Sequence, residues 1–370
     1  MVGKTSTGKV LVLGRSAALL ETVLTELDAA GVNAQGTATP EMAPHQFDAR
    51  DFDLIALGRG LLGETGDGLK AQFRNRNPEV RFLDTYAPFA AHQIVEAMTN
   101  EPAPAPDLDA YCARIGYAGP LSATLNTLKA LHERHPDAIA FEAIDVLLDR
   151  GVDISPAAVE HKLVQAQRGG YCFEHNGLFK RVLEALGFHV EGMTARVRWM
   201  AQPGVAPQPH SHMALRVWLD NRPWLVDVGF GGNVLTAPLR MDTSDPQPTQ
   251  HETFRLIPFG PGLLLQAQID GQWRPVYELS SEPLLSGDYT VANWYTSTYP
   301  GSPFRSHLMV ARTTPTARYK LLNSRLTTRY TDGSEQREEL DINALEGVLR
   351  DTFLLPVQPE WRPLIERAVG

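Results

Sequence analysis

Two hydrophobic rhythms divide this chain. From Lys9 to Met98, short apolar runs alternate with amphipathic stretches. Lys9-Val10-Leu11-Val12-Leu13-Gly14 has the continuous apolar character of a strand buried on both faces. A helix is predicted after it, with Leu19, Leu20, Val23, Leu24 and Leu27 on one side and Gly31 at its stop. Further strands are predicted at Asn33–Ala38, Asp53–Leu57 and Val80–Leu83, and helices at Gly68–Arg74 and Phe89–Met98. Such alternation predicts a small parallel α/β domain over residues 1–99. Asn100-Glu-Pro-Ala-Pro-Ala-Pro-Asp107 then reads as an extended linker, because alternating prolines favour polyproline II over a packed element.

Beyond the linker the pattern is first helical. A short helix is predicted at Asp109–Ile115, carrying Cys112 on a buried face as a structural thiol. A longer one is predicted at Leu121–His132, with Leu121, Leu125, Leu128 and Leu131 in register. Ser155-Pro156 has the form of a helix start, with serine at the cap and proline at the first position, and this helix should run almost to Arg168. After Gly187 the period shortens to two. Strands are predicted at His189–Trp199, Met213–Leu219 and Trp224–Gly229, the last two joined through Asp220-Asn221 as a hairpin. More follow at Thr253–Ile257, Leu263–Gln268, Arg274–Glu278 and Leu308–Arg312, which points to an antiparallel barrel or sandwich. Tyr319–Asn323 with Arg325–Thr331 makes another hairpin, and Asn343–Thr352 a late helix.

Composition narrows the class. With 370 residues, 43% hydrophobic and 21% charged, the chain is an ordinary globular protein of more than one domain. A net charge of −9 argues against a general nucleic-acid surface. Two cysteines, Cys112 and Cys172, make no disulfide framework and fit a reducing cytoplasm. No apolar run is long enough to span a membrane, and the first residues lack a signal-peptide core.

The N-terminal unit carries no nucleotide fingerprint: neither Gly14-Arg15-Ser16 nor Gly58-Arg59-Gly60 has G-x-G-x-x-G spacing after the right strand. By its strand order it resembles a reduced response-regulator receiver domain. That resemblance would require acidic residues after the first strand, an acceptor aspartate after the third and a lysine before a late proline. Gly14-Arg15, Gly58 and Ala87-Pro88 stand at those places. The unit is therefore expected to be a structural, docking or regulatory module, a place for a protein partner or for self-association.

The candidate chemistry lies in Arg168-Gly169-Gly170-Tyr171-Cys172-Phe173-Glu174-His175-Asn176. A Gly-Gly turn is expected to deliver Cys172 to the first turn of a helix, whose apolar face is Leu178, Phe179, Val182, Leu183 and Leu186. Unpaired amides and the positive end of the dipole favour an anion there, which suits a thiolate nucleophile. Read alone, the cysteine fits a buried structural thiol equally well. His212 starts one hairpin strand, and Asp227 is read as lying inside the other, between Val226 and Val228. An aspartate in an apolar strand needs a partner. Singly, His212 reads as a surface histidine like His210, and Asp227 as a local backbone ligand. With the cysteine they read as base and orienter of a nucleophilic triad. The histidines and cysteines show no clustered metal-ligand spacing.

Arg168–Asn176, Ser211-His212-Met213, Leu225-Val-Asp227-Val-Gly-Phe230-Gly, and Asn293–Thr298 with Pro303-Phe304 resemble the arylamine N-acetyltransferase family in order and spacing. The resemblance covers Asp107 to Gly370. It implies a helical domain carrying the nucleophile (108–197), a β-barrel domain (198–305) and an α/β lid (306–370). It also implies a Cys172–His212–Asp227 triad related to that of transglutaminases and papain-like proteases. The implied activity is acetylation of arylamines, arylhydroxylamines or hydrazines from acetyl-CoA through an acetyl-cysteine, with no permanently bound cofactor. Phe141, Phe173 and Phe230 match positions that wall the acceptor pocket, and ordinary core is the equal alternative for each. Gly229, Gly231 and Gly232 would let the pantetheine or pyrophosphate of CoA approach the backbone. Departures from the family pattern fall at Ala140, Ala143, Ile144 and Tyr299, where proline, asparagine, leucine and histidine are usual. Amide synthesis from a carrier-bound donor, hydrolysis by the same triad, and a non-enzymatic regulatory role are the competing readings.

Overall fold

A computed structural model describes residues 8–61, 64–85, 90–99, 104–201 and 208–370. The fold is mixed α/β and splits into two compact units, Met1–Ala103 and Pro104–Gly370. Within the expected linker, residues 100–103 lie outside the described residues, as do Ala87-Pro88 and the expected helix start at Phe89.

In the first unit, four parallel strands, β1 (Lys9–Leu13), β2 (Asn33–Thr37), β3 (Leu54–Gly58) and β4 (Arg81–Thr85), lie in the order β2-β1-β3-β4. The period of two divides β1 between two cores. Val10 and Val12 pack with α1 (Ala17–Ala29) and α4 (Ala90–Thr99). Leu11 and Leu13 pack on the opposite face, with α2 (Ala43–Gln46) and α3 (Glu64–Arg74). Gly31, expected at the helix stop, takes the left-handed conformation one residue past the C-cap of α1.

The second unit begins with α5 (Leu108–Arg114) and α6 (Leu125–Ala138), followed by the two-residue strand β5 (Phe141–Glu142). Next come α7 (Ile144–Leu147), α8 (Pro156–Glu160) with a π turn at His161–Gln165, and α9 (Cys172–Ala185). The expected helix at 121–132 is displaced. Thr124 caps α6 by accepting from the Thr127 amide, and Leu121 is left 41% exposed before the helix begins. The helix then runs through Pro136 to Ala138, giving up one hydrogen bond in its last turn rather than ending before the proline.

Eight antiparallel strands follow: β6 (His189–Val197), β7 (His212–Leu219), β8 (Arg222–Val226), β9 (Leu239–Arg240), β10 (Gln247–Pro248), β11 (Thr253–Phe259), β12 (Gly262–Ile269) and β13 (Gln272–Pro283). Their order is β10-β11-β12-β13-β6-β7-β8-β9. The sheet curls until its two edges almost meet. There the Gln247 side chain accepts from the Arg240 amide (2.7 Å) and donates to the Arg240 carbonyl (2.9 Å). Asp220 and Asn221 both have positive φ, as the two-residue hairpin between β7 and β8 requires.

Helix α10 (Ser286–Thr298) escapes the period analysis, because it carries apolar residues on its exposed side: Val291 and Trp294 are 67% and 66% exposed. The last sheet contains β14 (Met309–Thr313), β15 (Ala317–Leu322), β16 (Arg325–Tyr330) and β17 (Glu335–Glu339). It takes β5 from the helical segment as an edge, in the order β17-β16-β15-β14-β5. Helices α11 (Ile342–Asp351) and α12 (Arg362–Val369) share its core through Leu345, Leu349, Leu364 and Ile365. Among the described residues no helix is long and apolar enough to cross a membrane.

Candidate active site

Cys172 is the first residue of α9 and is 5% exposed. What precedes it differs from the expected turn. Neither Gly169 nor Gly170 is left-handed. Gly170 instead bridges Phe141 in parallel, with its amide donating to Ala140 O (3.3 Å) and its carbonyl accepting from the Glu142 amide (2.7 Å). Glycine is required at 169 by room, since a Cβ there would sit 2.1 Å from Ala140 O. Buried ion pairs fix this approach. Arg168 donates through Nε and Nη2 to Glu142 Oε1 (3.0 and 2.7 Å) and also holds Asp145. Glu174 accepts from the Tyr171 amide (2.9 Å) as the third residue of the helix and pairs with Lys162 (2.7 Å).

His212 opens β7, as expected. Its Nε2 lies 2.7 Å from Asp227 Oδ2, and both residues are buried. Asp227 is one residue beyond β8, not within it, because the β7–β8 ladder ends at Leu215 and Val226. With Nε2 committed to Asp227, Nδ1 is the nitrogen left for Cys172. The Cys172 thiol, 3.7 Å from Ser211 O, acts on the same ring. Burial works against charge on His212, but Asp227, by charge and hydrogen bond, and Cys172 outweigh it and push the pKa up to about 10. Burial also opposes charge on Asp227, yet His212, Asn176 and the Gly229 amide hold it below the usual carboxylate range.

The position of Asn176 explains how the three residues meet. One turn after Cys172 on α9, its Nδ2 donates to Met213 O (2.7 Å) and to Asp227 Oδ1 (2.9 Å), while its Oδ1 accepts from the Val228 amide (3.1 Å). One amide thus joins the cysteine helix to the histidine and aspartate strands. The i, i+4 spacing from Cys172 was the available signal. Gly229 serves the same junction, since a Cβ there would lie 2.8 Å from Cys172 Cα.

The aromatic candidates divide. Phe230 stands edge-on to His212 (5.0 Å between centroids) and packs on Tyr277 (5.1 Å), whose phenol burial and the nearby Asp227 keep protonated. Phe141 packs on Phe304 (5.9 Å) and over Gly231, whose missing Cβ would be 3.3 Å from its ring. Phe173 is 2% exposed between Tyr171 and Tyr289, with little surface to offer a ligand. Gly232 lies against the Lys320 stem.

Beneath the site runs a chain of buried rings that no sequence pattern signalled. His175 Nε2 meets Ala140 O (3.2 Å), which only accepts, so His175 Nδ1 accepts from His135 Nε2 (2.9 Å) and His135 Nδ1 accepts from the Tyr111 hydroxyl (2.8 Å). One carbonyl therefore sets the tautomer of both histidines, and burial lowers the pKa of His175 to about 4. Among the described residues no group of three or more His, Cys, Asp or Glu could hold a metal ion.

A family model described as N-acetyltransferase matches residues 124–362. The arylamine N-acetyltransferase of Escherichia coli (strain K12) is 39% identical over 254 residues, covering 68% of this chain and 90% of that protein. The arylamine N-acetyltransferase of Mycolicibacterium smegmatis is 43% identical over 233 residues, covering 62% of this chain and 84% of that protein. Among solved structures, arylamine N-acetyltransferase from M. tuberculosis superposes with a TM-score of 0.68 at 39% identity, over 71% of this chain and 99% of its own. The Mycobacterium marinum enzyme in complex with CoA superposes with a TM-score of 0.68 at 38% identity, over 71% of this chain and 98% of its own.

Proposed function

The chain belongs to the arylamine N-acetyltransferase family, and from that premise we propose that it acetylates arylamines from acetyl-CoA through an acyl-cysteine on Cys172. Acetyl transfer to an arylamine is the family's activity, with acetyl-CoA as co-substrate. The acyl-enzyme step rests on one observation: the buried His212–Asp227 hydrogen bond of 2.7 Å beside a cysteine at a helix start. In this reading His212 holds the proton of Cys172 as an imidazolium, and Asp227 fixes its tautomer and stabilises its charge. The thiolate adds to the thioester carbonyl, the tetrahedral intermediate collapses, and CoA leaves as its thiol with the proton from His212. The amine then attacks the acyl-cysteine while His212 removes its proton, and the cysteine sulfur leaves. The amides of Cys172 and Phe173, without intrahelical acceptors, are the natural oxyanion donors.

The lid, barrel and bundle assignments, the triad kinship with cysteine proteases and a cytoplasmic location belong to the same proposal. Both cysteines being free supports a reducing compartment. Phe141 and Phe230 are assigned to the acceptor wall, and Gly231 and Gly232 to the approach of CoA. The test is incubation with acetyl-CoA, with and without an aniline, following release of CoA thiol. Amine-dependent release supports transfer. Equal release without amine indicates hydrolysis, and none indicates a carrier-bound donor.

A further inference from the structure

The backbone of Asp227, whose carboxylate meets His212, has left the β7–β8 ladder after Val226. Leaving a ladder strands donors, and buried amides need acceptors. Three successive N–H groups are satisfied by side chains. The Val228 amide donates to Asn176 Oδ1 (3.1 Å), and the Gly229 amide to Oδ1 of Asp227 itself (2.9 Å). The Asp227 amide donates to Nε2 of His132 (3.2 Å), a residue of α6 that is wholly buried and edge-on to Phe179.

An imidazole nitrogen that accepts carries no proton, so the ring proton of His132 is on Nδ1. That atom is buried and makes no hydrogen bond to another of the described residues. A leucine at this position would keep the apolar packing but present no acceptor to Asp227. Burial holds the His132 pKa down to about 4 against the pull of the Asp227 carboxylate, which preserves the accepting lone pair at neutral pH. His135 is the other titratable group it acts on.

We propose that His132 is a positioning residue that supplies the acceptor for the Asp227 amide where the β7–β8 ladder has ended, and so sets the direction from which the carboxylate meets His212. The inference rests on the triad reading given above. With the acceptor lost, the Asp227 backbone shifts, the carboxylate stabilises imidazolium less well, and the Cys172 thiolate forms at higher pH.

His132→Leu and His132→Gln, made in the full chain in a Cys112→Ala background, test this. Glutamine places Oε1 near the position of Nε2; leucine offers no acceptor. His132→Leu is expected to lower kcat/KM about 10- to 100-fold and to move the pH midpoint of Cys172 alkylation by iodoacetamide upward. His132→Gln is expected to restore both to within about threefold of the parent, less than 1 kcal/mol. A folded His132→Leu with the parent's kcat/KM and alkylation profile overturns the proposal, as does a Gln variant impaired equally with Leu. Nitrogen-15 NMR of the unmutated protein applies even where a variant fails to fold. Nε2 of His132 must be unprotonated and Nδ1 protonated at neutral pH, and the reverse overturns the assignment. Activity surviving Cys172→Ala removes the triad reading and this proposal together. An inactive Cys172→Ala beside a parent-like His132→Leu removes only this proposal.

Discussion

The two units bury different chemistry. Among the described residues of the first, Thr85 is the one buried polar side chain, and both faces of the sheet are closed by Val, Leu, Ile, Ala and Phe. The second unit buries Glu142, Arg168, Glu174, His175, His212 and Asp227, each tied to an oppositely charged or hydrogen-bonding neighbour. Transfer of such groups from water is costly unless they are paired. An apolar core suffices to make a stable parallel sheet. Holding a cysteine, a histidine and an aspartate in one orientation takes a network in which each charge has its own support.

Loss of the proposed nucleophile should separate the two units most clearly. Cys172→Ala is expected to lower acetyl transfer about 10⁵-fold or more with the fold intact by circular dichroism, whereas Cys112→Ala, half-buried on α5, leaves the rate within about twofold, under 1 kcal/mol. Steady-state release of CoA thiol measures both. Asp227→Asn should follow closely, with a loss of up to about 10⁴-fold.

Next comes the support itself. Glu142→Ala leaves the buried Arg168 guanidinium with Asp145 alone and strands the Ile144 amide, and should cost roughly 3–5 kcal/mol together with most of the activity. Leu11→Ala in the first unit should cost a similar amount, about 2–5 kcal/mol, by leaving a cavity. Its kcat should not change. Urea titration alongside the transfer assay separates the two, and a parallel loss of activity in Leu11→Ala would erase the distinction drawn here.

Acid should discriminate as well. His132 and His175 are held neutral with pKa values lowered to about 4, so the unfolded chain takes up their protons first as pH falls below about 6.5. Their stability contribution is complete above that pH and is lost down to about pH 4, roughly 3 kcal/mol for each ring. His212 has the opposite sign. With its pKa raised to about 10, its contribution is complete below about pH 6.5 and is lost as pH rises toward 10. The second unit should therefore be most stable near neutrality. The histidines of the first unit, His45 and His92, are exposed. Melting followed from pH 4 to 10, on the whole chain and on Pro104–Gly370, checks this. The smallest effect is expected from that truncation itself, whose kcat/KM for an aniline should stay within about threefold, less than 1 kcal/mol. A well-folded truncation without activity would place the first unit in the catalytic machinery.

Much of this was legible where one side chain's role follows from its neighbours in sequence. The β1 run, the Asp220-Asn221 turn, the strand start at His212 and the helix start at Cys172 all follow from local period and turn chemistry. Legibility failed where the role depends on distant chain. β5 has two residues and exists only because β14 and Gly170 flank it. β17, Glu335–Glu339, is wholly exposed at a sheet edge, so no alternation marks it. The displaced start of α6 was set by Thr124 and not by Leu121, since a cap outweighs one apolar residue at the correct spacing. The His212–Asp227 pair could be guessed because fifteen residues and a tight turn separate the two. The support from His132, ninety-five positions from Asp227, left no mark on the sequence.

The seam between β9 and β10 has a kinetic consequence. Each strand there has two residues, and a glutamine side chain supplies the bonds between their edges. So short a join is made after the long β6–β7 and β12–β13 pairings have already brought the edges near, and it is the first to part. Deuterium should therefore enter at the Arg240 amide through small, frequent openings that leave the rest of the sheet shut. β7, two strands in from that edge, would exchange only when far more of the sheet comes apart. The barrel can breathe at its seam without disturbing the strand that carries His212.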